Sequence, residues 1–326
     1  GDAGLLGNVN FGLVAFRDSP EAVPELEYLA RTYVNLRQGR NPGTFLDKIN
    51  DLSAATPQMA KVYPNGLADV NHFHAAGGLA YLIGDLLDEG LLHPDTSTIA
   101  GDGLAHYASE PTLKDGAITW VDGPKKSLNE KIVRPARDPF QSSGGLRELK
   151  GNLGRSVMKV SAVAAENQII EAPARIFETQ DAVKAAFKAG EFTSDTVVVV
   201  RFQGPKANGM PELHSLTPIL SVLLSRGLKV ALVTDGRMSG ASGKVPSAIH
   251  LSPEGADGGP IAKLRDGDVV RVDATTGTVA CLEPDFETRT PVVPDLSGNQ
   301  EGLGRELFTA FRDRCGLAAD GAGTVV

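Results

Sequence analysis

Cysteine and tryptophan are scarce in this chain, which has two cysteines and one tryptophan among 326 residues. Cys281 and Cys315 stand far apart and in no spacing typical of metal ligands, so they cannot form a cysteine-rich metal site alone. Isolated cysteines of this kind are typical of a reducing cytoplasm, which is the location we expect. We interpret both as thiols without a chemical role, since free cysteine often behaves as a small apolar residue.

Long apolar runs and an excess of positive charge are lacking too. No stretch approaches the roughly 20 apolar residues that a membrane-spanning helix needs, and residues 1–10 do not have the pattern of a secretion signal. The formal net charge is −8, which argues against nucleic acid or an anionic membrane as a partner. An anionic small molecule is compatible with this charge, because a local lysine or arginine pocket can lie in an acidic protein.

Apolar residues make up 41% of the chain and charged residues 22%, which is ordinary for a globular protein with a sizeable core. Residues 1–50 are hard to interpret, although residues 22–36 have helical spacing. An apolar stripe at helical spacing predicts a helix over residues 79–87, with Gly90 at its end. The stripe consists of Leu79, Leu82, Ile83, Leu86 and Leu87.

Residues 101–150 are rich in glycine, proline, aspartate and lysine, and we interpret them as loops or a linker with a domain boundary near residue 145. Beyond it, short β-branched runs predict buried strands between helices, which favours a barrel or sandwich with peripheral helices. Pro218 would lie in a first turn or at a kink. The predicted strands are 157–163, 196–202, 229–234 and 269–272, the helices are 181–189, 211–226 and 303–311, and Asp266-Gly267 (a hairpin signal) and Thr276-Gly277 mark turns.

A polar, glycine-rich loop follows the predicted strand at residues 196–202, and loops at strand ends often carry functional sites. In residues 201–212 the strand ends, a flexible loop follows, and Glu212 is predicted to open a helix. The helix dipole alone favours a carboxylate in a first turn. The alternative is a ligand for a hard cation, since Mg²⁺ prefers carboxylate oxygen.

A second such loop, residues 233–244, contains three glycines and two serines. Successive backbone N–H groups in such a loop can cradle an anion, and Arg237 or Lys244 could add charge for a carboxylate or phosphate. A plain glycine-rich turn is the alternative. The spacing excludes the Walker A and G-x-G-x-x-G loops. Residues 252–260 form a third turn-rich loop, to which we assign a structural role.

Three segments resemble the dihydroxyacid and 6-phosphogluconate dehydratase family: residues 62–78, 201–214 and 229–268. The third, KVALVTDGRMSGASGKVPSAIHLSPEGADGGPIAKLRDGD, is long and gapless. Residues 208–214 and 241–246 are similar to the 6-phosphogluconate branch of the family rather than to its branched-chain amino-acid branch. The resemblance extends over about residues 51–315 and concerns the C-terminal half of the family.

The resemblance implies a hydro-lyase that converts 6-phospho-D-gluconate to 2-dehydro-3-deoxy-6-phospho-D-gluconate in the Entner–Doudoroff pathway of gluconate metabolism. The proton beside the carboxylate is weakly acidic and the 3-hydroxyl leaves poorly, so a base, a cation and a Lewis acid are needed. In the family, an iron–sulfur cluster, expected as [4Fe–4S], is the Lewis acid and Mg²⁺ holds the substrate. The alternative substrates are a dihydroxyacid and an unphosphorylated sugar acid.

The motifs carry two functional residues over to this chain. Ser239 is similar to the family serine proposed as an alkoxide base, and Glu212 matches the family's C-terminal Mg²⁺ ligand. An alkoxide would need strong stabilisation by a nearby cation. We further expect that Arg237 or Lys244 binds the substrate phosphate. The candidate substrate-binding residues are Arg237, Ser242 and Lys244.

The family's cluster cysteines and remaining Mg²⁺ ligands belong to a large N-terminal domain without a counterpart here, so no cluster ligand is expected in this chain. By resemblance, we expect an α/β fold with a C-terminal β-barrel-like domain and flanking helices over residues 146–326. A mainly helical remnant of the N-terminal domain and a linker would occupy residues 1–145, with residues 1–50 unplaced. The family forms homodimers whose sites use both domains, so we expect this chain to be inactive alone. The alternative is a non-catalytic barrel that binds a partner or a sugar acid without a cluster.

Overall fold

The computed structural model describes residues 45–238 and 243–324. These residues form two compact units, one of Leu52–Gly144 and one that starts at Gly145 and includes residues 45–51. The helix predicted at residues 22–36 lies outside the described residues. In the described parts of the chain, no helix is long and apolar enough to cross a membrane.

Short helices and two small hairpins make up the unit of residues 52–144. The helix Gly78–Asp88 confirms the helix predicted at residues 79–87, and Gly90 follows its end with a φ of 68°. Its buried side chains include Tyr81 and Ile83, whereas Leu79 is exposed. The apolar stripe thus indicated the helix but not the face that this unit buries. The elements are α1 (Phe45–Ala55, which extends into the other unit), α2 (Val70–Ala75), α3 (Gly78–Asp88), β1 (Ser97–Thr98), β2 (Gly101–Asp102), β3 (Ser109–Lys114) and β4 (Ala117–Asp122).

The hairpin of β3 and β4 shows that residues 101–150 are not only loops or linker. The two strands pair in antiparallel register along their whole length. Asp115 and Gly116 between them have φ angles of 52° and 79°, as a type I′ hairpin turn requires. This Asp-Gly pair was the sequence signal for the hairpin, and the frequent prolines around it favoured the wrong interpretation.

Eight strands close into a barrel in the second unit, which confirms the expected barrel-like α/β fold. The strands are β5 (Leu146–Gly151), β6 (Gly154–Lys159), β7 (Ile169–Phe177), β8 (Thr196–Val200), β9 (Val230–Thr234), β10 (Ser247–Ser252), β11 (Val269–Asp273) and β12 (Thr278–Cys281). Their order around the barrel is β10-β6-β5-β12-β11-β7-β8-β9. The helices are α4 (Gln180–Lys188), α5 (Pro205–Asn208), α6 (Leu216–Ser225) and α7 (Thr309–Arg314).

Strands β7, β8, β9 and β10 are consecutive and parallel, so their carboxyl ends meet at one rim of the barrel. Strand β8 is buried on both faces: Val197 and Val199 point into the barrel core, and Val198 and Val200 pack in a second apolar cluster with α4 and α6. Burial on both faces explains why the sequence has an uninterrupted β-branched run here.

The boundaries of two predicted helices are wrong. The helix predicted from residue 211 begins at Leu216, and Pro218 lies in its first turn as expected. The helix predicted at residues 303–311 is reduced to a 3₁₀ turn (Arg305–Phe308) and α7, and its apolar stripe is exposed. The stripe consists of Leu303, Leu307, Phe308 and Phe311.

Turns were predicted in the barrel unit at two dipeptides that end in glycine. Thr276-Gly277 does join two antiparallel strands, β11 and β12. Asp266-Gly267 forms a turn, with a φ of 90° at Gly267, but not a hairpin. The segment before it is a 3₁₀ turn (Pro260–Lys263), and β11 pairs with β7 and β12 instead.

Candidate functional site

The two glycine-rich loops follow β8 and β9, which are neighbouring parallel strands, and therefore start side by side at the same rim. Glu212 in the first loop forms an isolated β-bridge with Arg237 in the second, and the amide of Leu213 donates to the carbonyl of Arg237 at 3.0 Å. The prediction that Glu212 opens a helix is wrong. Its backbone pairs with the neighbouring loop instead, and α6 begins only at Leu216.

The side chains of Glu212 and Arg237 also approach each other. Arg237 Nη1 lies 3.7 Å from Glu212 Oε2, which is an ion pair rather than a short hydrogen bond. Arg237 Nε donates to the carbonyl of Met210 at 2.8 Å. The Glu212 side chain remains 35% exposed, so a carboxylate sits at the rim with its charge only loosely compensated.

Strained backbone accompanies this rim. Met210, two residues before Glu212, has a φ of 52°, Phe202 at the end of β8 has 63°, and His250 in β10 has 58°. Positive φ angles are uncommon for residues other than glycine, and they concentrate at functional sites. Two of these residues, Phe202 and Met210, lie in the loop that leads from β8 to Glu212, so this loop carries backbone strain.

Lys244 lies at the far end of the second loop. Lys244, three residues before β10, is exposed. The structure brings Arg237 to Glu212, and the role of Lys244 remains a prediction. Ser239 and Ser242 lie outside the described residues, so their roles remain predictions.

Lys159, which ends β6, lies beside the second loop. A Cβ atom on Gly243 would lie 3.0 Å from Lys159 Cδ, so the lysine stem packs directly against the second loop. Burial lowers the pKa of the Lys159 ammonium, which favours its neutral form over the charge that an anion would need. A single lysine at a strand end gave no signal in the sequence, because only the fold places it beside the loop.

Two buried carboxylates at the rim were also missed. Burial raises the pKa of Asp235, and it raises the pKa of Glu254 to about 6, in each case against backbone N–H donors that favour the charged form. Asp235 was overlooked as part of a loop, and Glu254 lies in the segment to which we had assigned a structural role. Their partners are 20 or more residues away in sequence, so no local pattern could indicate them.

Neither cysteine belongs to a group of potential metal ligands among the described residues. Cys281 and Cys315 are buried, and the Cys315 thiol donates to the carbonyl of Ala322 at 3.3 Å. Within residues 45–238 and 243–324, no group of three or more histidine, cysteine, aspartate or glutamate side chains could hold a metal ion. These residues therefore offer Glu212 as one carboxylate donor but not a complete metal site.

Comparison with known proteins covers most of the chain. Residues 131–322 match the family model described as dihydroxy-acid/6-phosphogluconate dehydratase C-terminal, and residues 42–107 match the N-terminal model of the same family. The phosphogluconate dehydratase of Pseudomonas aeruginosa is 58% identical over 275 residues, which are 84% of this chain and 45% of that protein. The phosphogluconate dehydratase of Escherichia coli K12 is 55% identical over 278 residues, which are 85% of this chain and 46% of that protein.

A dihydroxy-acid dehydratase from Halothermothrix orenii is less similar, at 35% identity over 264 residues, which are 78% of this chain and 45% of that protein. The chain spans slightly less than half the length of these relatives. Because the C-terminal family model matches more than half of the residues, and includes both loops of the rim, the chain belongs to the dihydroxy-acid/6-phosphogluconate dehydratase family.

Proposed function

We propose that the protein acts in the dehydration of 6-phospho-D-gluconate to 2-dehydro-3-deoxy-6-phospho-D-gluconate. The observation that carries the proposal is the bridge between Glu212 and Arg237 at the rim where parallel strands end, within a chain 58% identical to a phosphogluconate dehydratase. The lower identity to a dihydroxy-acid dehydratase, 35%, argues against a dihydroxyacid as substrate.

The reaction needs a group that binds the substrate carboxylate, a base for the C2 proton, and assistance to the leaving 3-hydroxyl. Glu212 is the donor that would hold Mg²⁺, and when bound this ion would draw electron density from the carboxylate and so acidify the C2 proton. Arg237 holds Glu212 in place through its bridge and its bond to Met210. Ser239, two residues further along, remains our proposed base.

The cofactors of the proposal are Mg²⁺ and a [4Fe–4S] cluster. Since neither cysteine belongs to a group of potential metal ligands among the described residues, we assign no step to the cluster, and its ligands would come from the part of the relatives that this chain does not span. A homodimer in the cytoplasm, without nucleic-acid or membrane partners, completes the proposal. It also includes Arg237, Ser242 and Lys244 as substrate-binding residues.

A keto-acid assay on this chain tests the proposal, with 6-phosphogluconate, gluconate and 2,3-dihydroxyisovalerate offered in parallel, and with iron and sulfide measured on the same sample. Formation of 2-keto acid from 6-phosphogluconate alone supports it. If the chain is inactive, it should gain activity when co-expressed with the N-terminal half of the Pseudomonas aeruginosa relative. Equal or better turnover of the dihydroxyacid would contradict the proposed substrate.

The second candidate is a non-catalytic barrel that binds a sugar acid or a partner. It is favoured by one observation, the lack of a complete set of metal ligands among the described residues. A folded, colourless protein that stays inactive with the N-terminal half, yet binds 6-phosphogluconate in calorimetry, would support this alternative.

A further inference from the structure

Asp235 joins three loops at the rim. It follows β9 and is fully buried. Its Oδ1 accepts a hydrogen bond from the amide of Gln203 at 2.8 Å, and its Oδ2 accepts from the amides of Phe202 and Gly255 at 3.0 and 2.9 Å. One carboxylate therefore fastens the start of the loop after β8 and the loop after β10 to the end of β9.

Glu254 holds the middle of the same loop. Its Oε1 accepts from the amide of Lys206 at 2.8 Å and its Oε2 accepts from the amide of Ala207 at 3.0 Å. Only 4% of this residue is exposed. A Cβ atom on Gly204 would lie 2.4 Å from Glu254 Oε2, so the absence of a side chain at Gly204 is what lets the carboxylate approach the turn.

These two carboxylates are held by amides rather than by cations. In the described parts of the chain, neither forms an ion pair, and the ammonium of Lys206 binds Asp257 at 2.7 Å instead. Burying a carboxylate without a cation is unfavourable, and here burial raises both pKa values. A short turn does not require two buried carboxylates, because exposed side chains could accept hydrogen bonds from the same amides.

The loop that they hold leads directly to Glu212. After α5 the chain passes through Gly209 and Met210, both at positive φ, and reaches the bridge with Arg237. Asp235 and Glu254 thus fix the first half of this loop, and Arg237 fixes its end. The loop is therefore fastened at both ends to the residues that follow β9.

We propose that Asp235 and Glu254 are positioning residues, which set the location of the Glu212 carboxylate relative to the loop that begins at Arg237. They act through the backbone and do not touch the substrate. The significance of this role rests on the proposed function, in which Glu212 binds Mg²⁺. The positioning itself is a property of the folded chain and can be measured without metal or substrate.

The amide of Leu213 is the reporter for this role, because it donates to the carbonyl of Arg237 and touches neither carboxylate. Amide hydrogen exchange is measured by NMR in the full chain and in the variants Glu254→Gln and Asp235→Asn. We expect Leu213 to exchange about tenfold faster in each, the effect of losing roughly one charge-assisted hydrogen bond. The amide of Val272 in β11 should keep its rate, because a purely structural loss would accelerate exchange throughout the barrel.

Asp257→Asn is the matched control, since Asp257 binds the side chain of Lys206 on the same turn but none of its amides. Its Leu213 rate should equal that of the wild type. Unchanged Leu213 exchange in folded Glu254→Gln and Asp235→Asn would overturn the proposal. This outcome is separate from failure of the keto-acid assay, because no substrate or metal takes part in the exchange experiment.

A measurement on the wild type covers the case in which both variants fail to fold. Native-state exchange at increasing urea concentration gives an opening free energy for each amide. The amides of Lys206, Ala207 and Leu213 should open together as one unit, at a lower free energy than Val272. If Leu213 opens independently of Lys206 and Ala207, the carboxylates do not position Glu212.

Discussion

The two units of the described chain differ in how far they bury their apolar residues. In the barrel unit, the strands bury one face in the barrel core and β8 and β9 bury the other against helices. In the unit of residues 52–144, the register of β3 and β4 puts Pro111, Leu113, Ile118 and Trp120 on one face of the hairpin, and Leu113 is 74% exposed. The barrel thus builds its own core, whereas the hairpin contributes little to one.

The largest expected effect is on the free energy of unfolding, and it differs between leucine-to-alanine substitutions in the two units. Leu149→Ala removes a fully buried side chain from the barrel core and should lower the free energy of unfolding by about 3 kcal/mol. Leu113→Ala is the matched control in the hairpin and should change it by less than about 0.5 kcal/mol. Urea denaturation followed by circular dichroism measures both. Equal losses would mean that the hairpin is as well packed as the barrel.

The next effect concerns pH and the barrel rim. Because burial raises the pKa of Glu254 to about 6, the folded state binds its proton more tightly than the unfolded state does. This group therefore destabilises the fold increasingly as pH rises from about 4.5 to 6, by up to about 2 kcal/mol. Lowering the pH from 7 to 5 should stabilise the wild type relative to Glu254→Gln.

Urea denaturation of both proteins at several pH values between 4.5 and 7.5 checks this expectation. The difference between their unfolding free energies should change mainly below pH 6. A difference that is constant over the whole range would mean that Glu254 titrates normally.

A smaller effect is confined to the hairpin. Gly116 has a φ of 79°, so Gly116→Ala should destabilise the turn by about 1 kcal/mol. Amide exchange should accelerate in β3 and β4 and stay unchanged in β8 and β9. Faster exchange in the barrel strands as well would show that the units unfold together.

The smallest effect is expected for the single tryptophan. Trp120 lies on the exposed face of β4, so its fluorescence in the folded protein should already resemble that of tryptophan in water. Unfolding in urea should therefore change the emission maximum little. A large red shift on unfolding would mean that the hairpin face is covered in solution.

The residue pattern predicted the buried strands β8 and β9 well, because burial on both faces produces an uninterrupted apolar run. The pattern left a barrel or a sandwich open, and the barrel was expected from the family resemblance. The Thr276-Gly277 turn followed from its own chemistry. The hairpin of β3 and β4 was missed although Asp115-Gly116 marked it. Leu307 and Phe308 predicted a longer helix than exists, because their spacing is helical but nothing in the described chain buries them.

The candidate site was predicted only where a motif is contiguous. Glu212 and Arg237 were both proposed from their loops, but their bridge depends on β8 and β9 being neighbours, which no local pattern states. The same holds for Asp235 and Glu254, whose amide partners come from other loops. Pro211 precedes Glu212 and looked like a helix start, yet pairing with Arg237 decides the backbone there.

The most direct test of the account asks whether a divalent cation binds at Glu212. Mn²⁺ added to the chain co-expressed with the N-terminal half of the Pseudomonas aeruginosa relative should broaden the NMR signals of the Leu213 and Arg237 amides, and Glu212→Gln should abolish this broadening. The control Glu171→Gln, a partly exposed carboxylate in β7, should leave it unchanged. If the broadening persists in Glu212→Gln, or never occurs near Leu213, then Glu212 is not a metal ligand in this protein.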